Sequence, residues 1–114
     1  MAADIDGVRR ALEAHLAAWL EQLLIRSVVE CGSTPPRVDV RAQFHTREEV
    51  YYHVLVGAPA EWDAFEALLE TAGAVGVHPF RLDVAPPGPG DRRPGIEIAM
   101  RAPIPEDVRH LARF

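Results

Sequence analysis

The chain has 114 residues, 48% hydrophobic and 25% charged, which describes one globular domain with a modest core. Twelve basic against 17 acidic side chains give a formal charge of −5, which argues against a general nucleic-acid binder. No run approaches the ~20 apolar residues that span a bilayer, so no membrane partner is expected. All the strong cations are arginine, and lysine and asparagine are absent, a bias we read as genomic (high GC, bacterial) rather than functional. A single cysteine, Cys31, leaves no intrachain disulfide and no cysteine-based zinc cage. The opening MAADIDGVRR is acidic before it is basic and carries no secretory pattern, so a cytoplasmic location is expected.

In chain order, residues 8–30 come first as a long helix within a segment 1–32. Val8, Leu12, Leu16, Trp19, Leu20, Leu23 and Leu24 recur at helical spacing as one apolar stripe. Asp4 or Asp6 suits its N-cap, and Cys31-Gly32 its end. Ser33-Thr34-Pro35-Pro36 is a stiff connector. Val38, Val40, Ala42 and Phe44 then alternate with polar residues over residues 37–45, a half-buried strand. After a turn at residues 46–49, Val50 to Val56 is apolar on both faces, as in a central strand paired with the first.

Pro59, Glu61 and Asp63 favour the start of a second helix, whose face is Trp62, Phe65, Leu68, Leu69 and Ala72. Gly73 and Gly76 punctuate its end. Phe80, Leu82 and Val84 alternate in a third strand, and Ile96, Ile98 and Met100 in a fourth. Between them, residues 85–95 are too rich in proline and glycine for a sheet interior and read as a mobile hairpin tip. A short final helix has Glu106 and Asp107 in its first turn, Arg109 and Arg113 in its last, and Ile104, Val108 and Leu111 inward.

The pattern predicts a single α+β domain over 1–114. It is a two-layer sandwich: a four-stranded, mainly antiparallel sheet of two hairpins, with a long N-terminal helix, a second helix and a short C-terminal helix. Val38, Val40, Phe44, Phe80, Leu82, Val84, Ile96, Ile98 and Met100 are expected under the helices. Arg37, Asp39, Arg41, Arg81, Asp83, Glu97 and Arg101, with Tyr51 and His53, are expected on the open face. The element order resembles that of small acidic secretion chaperones, which run helix, strands, helix, strands, helix and dimerise. Residues 50–101 resemble a ferredoxin-like domain of a secretion or pilus scaffold.

Nothing in the chain converges on catalysis, so no catalytic residue is assigned and an enzyme is disfavoured. His45 and His53 could meet across the first hairpin with Asp39 or Asp83. No metal-ligand spacing supports them, however, and neither a metal nor a cofactor is expected. Cys31 would sit at a helix C-terminus, which disfavours a thiolate. The arginine-lined face is the most distinctive constellation, because Arg37, Arg41, Arg81 and Arg101, with His53, could cradle an anion. Cross-strand pairing with Asp39, Asp83 and Glu97 is the plainer reading of the same residues.

The first helix is too long and too apolar for a small domain to cover. Self-association is therefore expected through Leu16, Trp19, Leu20, Leu23, Leu24 and Val28. The functional expectation is a non-enzymatic protein-binding or assembly module, homodimeric. The alternatives are an anion- or small-molecule-sensing domain using the arginine face, and a secretion-chaperone-like protein.

Overall fold

The computed structural model describes residues 5–30, 37–57, 62–85 and 95–109. The expected contributions of Asp4, Cys31, residues 32–36, Pro59, Glu61, the loop 86–94, Leu111 and Arg113 lie outside them. The elements run α1 (Ile5–Glu30), β1 (Val38–Phe44), β2 (Glu49–Gly57), α2 (Trp62–Ala74), β3 (His78–Ala85), β4 (Gly95–Pro103) and α3 (Glu106–Arg109). This is the expected α+β sandwich.

The strands form one sheet in the order β1-β2-β4-β3, antiparallel at every pairing. The two expected hairpins are β1–β2 and β3–β4, joined side by side through β2 and β4. A ferredoxin-like βαββαβ chain gives this order when its first strand is moved to its end. The β1–β2 turn is held by Thr46, whose Oγ1 accepts from the amides of Glu48 at 3.2 Å and Glu49 at 3.0 Å. Gly76, with φ +81°, ends α2 in the left-handed region, and Val77 then drops into the core. Gly73 lies in the last turn of the helix, its carbonyl accepting from the Gly76 amide at 3.1 Å.

Side chains alternate across the sheet, and the register fixes which share a face. Val40, Val54 and Ile98 stand in one row towards the helices, as do Ala42, Tyr52 and Met100, and Phe44, Val50 and Ala102. Against them α1 places Leu16, Leu20, Leu24 and Val28, each four residues on, all buried. From α2 come Ala64, Phe65, Leu68 and Ala72. Ile104 and Val108 close one end of the core, as their spacing implied. Ser27 is buried within the helix stripe and loses nothing by it, because its Oγ donates to the Leu24 carbonyl at 2.7 Å.

The third strand departs from expectation. Phe80, Leu82 and Val84 are not covered by the helices: they are 48%, 54% and 79% exposed. Two causes are visible. The register shifts between Pro79 and Arg81, so Phe80 is an extra residue opposite no partner, and a bulge of that kind turns it out of the alternation. Phe80 accordingly packs on the open face, its ring 5.3 Å from that of Tyr51. Leu82 and Val84 do keep the helix-side face, opposite Ile98 and Ile96. There, however, α1 packs along β1 at the other edge of the sheet, and α2, which meets β3, leaves these two side chains uncovered.

Candidate functional site

An edge strand presents free backbone amides and carbonyls along its outer side. This sheet treats its two edges differently. On β1, polar side chains of α1 reach over and occupy those groups. The Phe44 amide donates to Glu13 Oε2 at 2.9 Å, and the Phe44 carbonyl accepts from Arg9 Nη2 at 3.0 Å. The Val40 amide donates to Glu21 Oε1 at 3.4 Å. Arg9 and Glu13, one helical turn apart, also meet each other at 3.9 Å. At Phe44 and at the Val40 amide the β1 edge is closed.

These contacts identify Val40 and Phe44 as outward-facing positions of β1. Carried across the antiparallel ladder, the alternation gives odd-numbered pairs between β1 and β2, even-numbered pairs between β2 and β4, and odd-numbered β4 residues bonded to β3. The backbone groups of Leu82 and Val84 therefore face away from β4. Among the described residues no side chain reaches them as Glu13 and Glu21 reach β1. The β3 edge is open, and an uncovered apolar ledge, Leu82 and Val84, runs along it.

The charged face of the sheet divides into rows. Arg41, His53, Ala99 and Arg81 form one, and Asp39, Leu55, Glu97 and Asp83 the next. Some of these side chains pair on the face. Arg37 meets Asp39 at 2.9 Å, Arg81 meets Asp83 at 2.7 Å, and His53 lies 3.8 Å from Glu97. Arg41 and Arg81 stand on opposite edge strands, three strand spacings or ~14 Å apart at the backbone. The five residues Arg37, Arg41, His53, Arg81 and Arg101 share this face, with Arg37 and Arg81 turned to Asp39 and Asp83.

A stacked row crosses the same face. His45 lies on Tyr51 with centroids 4.1 Å apart and planes 13° apart, Tyr51 meets Phe80, and the Arg101 guanidinium sits 5.9 Å above Phe80. The bulge at Phe80 was invisible in an alternating sequence, and the row with it. His45 and His53 do not meet: one stacks and the other pairs with Glu97. Among the described residues no three histidine or acidic side chains are placed to hold a metal ion.

Of the six α1 residues expected at an interface, Leu16, Leu20, Leu24 and Val28 are filled in by the chain's own sheet and α2. Trp19 is 40% exposed and Leu23 half-buried. With Val8 they leave a narrow apolar stripe on the flank of α1. No described helix is long and apolar enough to cross a membrane.

No protein-family model and no curated protein sequence matches the chain. Among solved structures, it is similar to the crystal structure of the type 4 fimbrial biogenesis protein PilO from Pseudomonas aeruginosa. The TM-score is 0.47 and the identity 10%, covering 86% of this chain and 75% of that one. The likeness is weak, and the chain's own surfaces have to speak for its function.

Proposed function

We infer that the protein is a non-enzymatic binding or assembly module and that it docks a protein partner along β3. One observation carries this reading: α1 spends three polar side chains on closing the β1 edge, while the β3 edge keeps its backbone groups and an apolar ledge exposed. An edge of that kind accepts an added strand, with main-chain hydrogen bonds giving affinity and alternate side chains giving selectivity. A photo-reactive residue placed at Val84 in the cells that make the protein tests it. One discrete protein adduct is expected, lost when Leu82→Lys is added, and none from the same probe at Ala18 on the exposed side of α1. No adduct at Val84, or equal labelling at Ala18, would refute the reading.

A second reading has its own observation. Arg41 has no ion-pair partner among the described residues, and it borders a shallow cleft with Gln43, Tyr51 and Phe80 beside the stacked row. A flat anionic ligand could stack on Tyr51 or Phe80 with its charge towards Arg41 or Arg101. Thermal shift against a panel of aromatic carboxylates and nucleotides tests it, since a ligand specific to the folded chain raises the melting temperature. No shift that Arg41→Ala abolishes would remove this reading.

A further inference from the structure

We propose that the occupant of the β3 edge is β3 of a second copy, paired antiparallel about a two-fold axis through Leu82. The proposal rests on β3 being the docking edge, and its new content is the partner and the register. A symmetric antiparallel pair places residue i of one copy opposite j of the other and j opposite i, so the strand must be complementary to its own reverse. Centred on Leu82, Arg81 stands opposite the second copy's Asp83, and Asp83 opposite the second copy's Arg81. A centre one residue either way sets Arg81 against Arg81, or Asp83 against Asp83, and like charges directly opposite are destabilising.

The backbone agrees with the charge pattern. The outward-facing groups of Leu82 make the Leu82–Leu82 pair the hydrogen-bonded one. The Arg81–Asp83 pairs are then the non-bonded ones, in which side chains approach most closely. Within each copy Arg81 already meets Asp83 at 2.7 Å, so pairing brings two such dipoles together head to tail and flanks each guanidinium with two carboxylates. On the opposite face, Leu82 and Val84 of the two copies come side by side and shelter apolar surface that neither can cover alone. Beyond Arg81, Leu82 and Asp83, Val84 would face the bulge at the second copy's Phe80, so Pro79 and the bulge limit the regular pairing to those three residues of each copy and discourage longer registers. A contact this short belongs to the small, transient class of interface, with association in the micromolar range.

Sedimentation of the purified chain, from low to high micromolar concentration, with three variants tests the proposal. Wild type is expected to dimerise, and Arg81→Asp and Asp83→Arg each to weaken dimerisation roughly tenfold or more, because each sets like charges face to face. Both positions are exposed, and circular dichroism checks that the variants fold. Mixing the two variants is expected to restore association as a heterodimer, and the double swap Arg81→Asp/Asp83→Arg to restore the homodimer. A wild-type chain that stays monomeric, a dimer indifferent to both single changes, or a mixture that fails to associate would each overturn it. If the purified chain is monomeric while the Val84 probe still captures a different protein, the second copy is excluded and the docking edge stands. If neither is seen, both fall.

Discussion

Glu13, in the third turn of α1, accepts the backbone amide of Phe44 at 2.9 Å across 31 residues of sequence. A helix normally meets a sheet through apolar side chains. Here it also overhangs the sheet's edge, and Arg9, Glu13 and Glu21 take up outward backbone groups of Val40 and Phe44 on β1. The same placement sets α1 over β1, at the far edge from β3, where Leu82 and Val84 stay exposed.

The closure contributes to stability. Glu13→Ala removes the acceptor of a part-buried amide and the partner of Arg9, and is expected to cost about 1.5–3 kcal/mol, the usual range for a hydrogen bond to a charged group. Glu13→Gln keeps a carbonyl oxygen in reach and should recover much of the loss. Urea denaturation of the three proteins measures the difference. The double variant Glu13→Ala/Glu21→Ala is expected to aggregate faster as well, because it frees the β1 edge.

A glycine pair sets the approach of the two central strands at one end. Gly57 and Gly95 stand opposite each other, and a Cβ on Gly95 would lie 2.6 Å from the Val56 carbonyl oxygen. Gly95→Ala must move backbone and is expected to destabilise by roughly 1–3 kcal/mol, in the range for overpacked sites. Gly73→Ala is the control: nothing lies within 4 Å of its Cβ position inside α2. It should stabilise by about 0.5–1 kcal/mol through helix propensity.

Much of this was legible beforehand, and the failures share a cause. Period-two alternation located β1, β3 and β4, a run apolar on both faces located β2, and helical periodicity located α1 and α2, because burial imposes those patterns. Alternation cannot say whether a face has anything to cover it. Leu82 and Val84 alternate like core residues and stand uncovered, since their burial depends on where a helix 50 or more residues away comes to rest. The bulge that turns Phe80 onto the open face leaves no trace in composition. In α1 the error ran the other way. Leu20, Leu24 and Val28 looked like surplus apolar surface and are fully buried. Glu13 and Glu21 gave no sign of their role, because a glutamate that caps a distant strand reads like any surface charge.

The inward half of α1 therefore behaves as core in variants. Leu24→Ala is expected to cost ~2–5 kcal/mol, as large-to-small changes at filled sites do. Leu16→Glu is expected to unfold the chain rather than merely dissociate it. Trp19→Ala should cost much less. Chemical denaturation followed by far-UV circular dichroism separates the three cases.

Tyr52 supplies a pH dependence. Its ring is buried beneath the helices, and desolvation pushes the phenol from 10.0 up to about 12. In the unfolded chain the phenol releases its proton near 10, so between about pH 10 and 12 the unfolded state binds fewer protons and gains relative to the folded one. This contribution to stability is intact below pH 10 and declines as pH rises through that window. Melting temperatures across the range should fall more steeply for wild type than for Tyr52→Phe. Equal slopes would mean that Tyr52 ionises as readily folded as unfolded.

The central claim is that one edge of this sheet is closed by its own helix and the other is left for a partner. Residue-resolved hydrogen exchange reads both edges in one experiment. In dilute solution the amides of Val40 and Phe44 should be protected through Glu21 and Glu13, while those of Leu82 and Val84 exchange rapidly. On raising the protein concentration, protection should appear at Leu82 and leave Val40 unchanged. Rapid exchange at Val40 and Phe44, or strong protection of Leu82 in dilute monomer, would contradict the account.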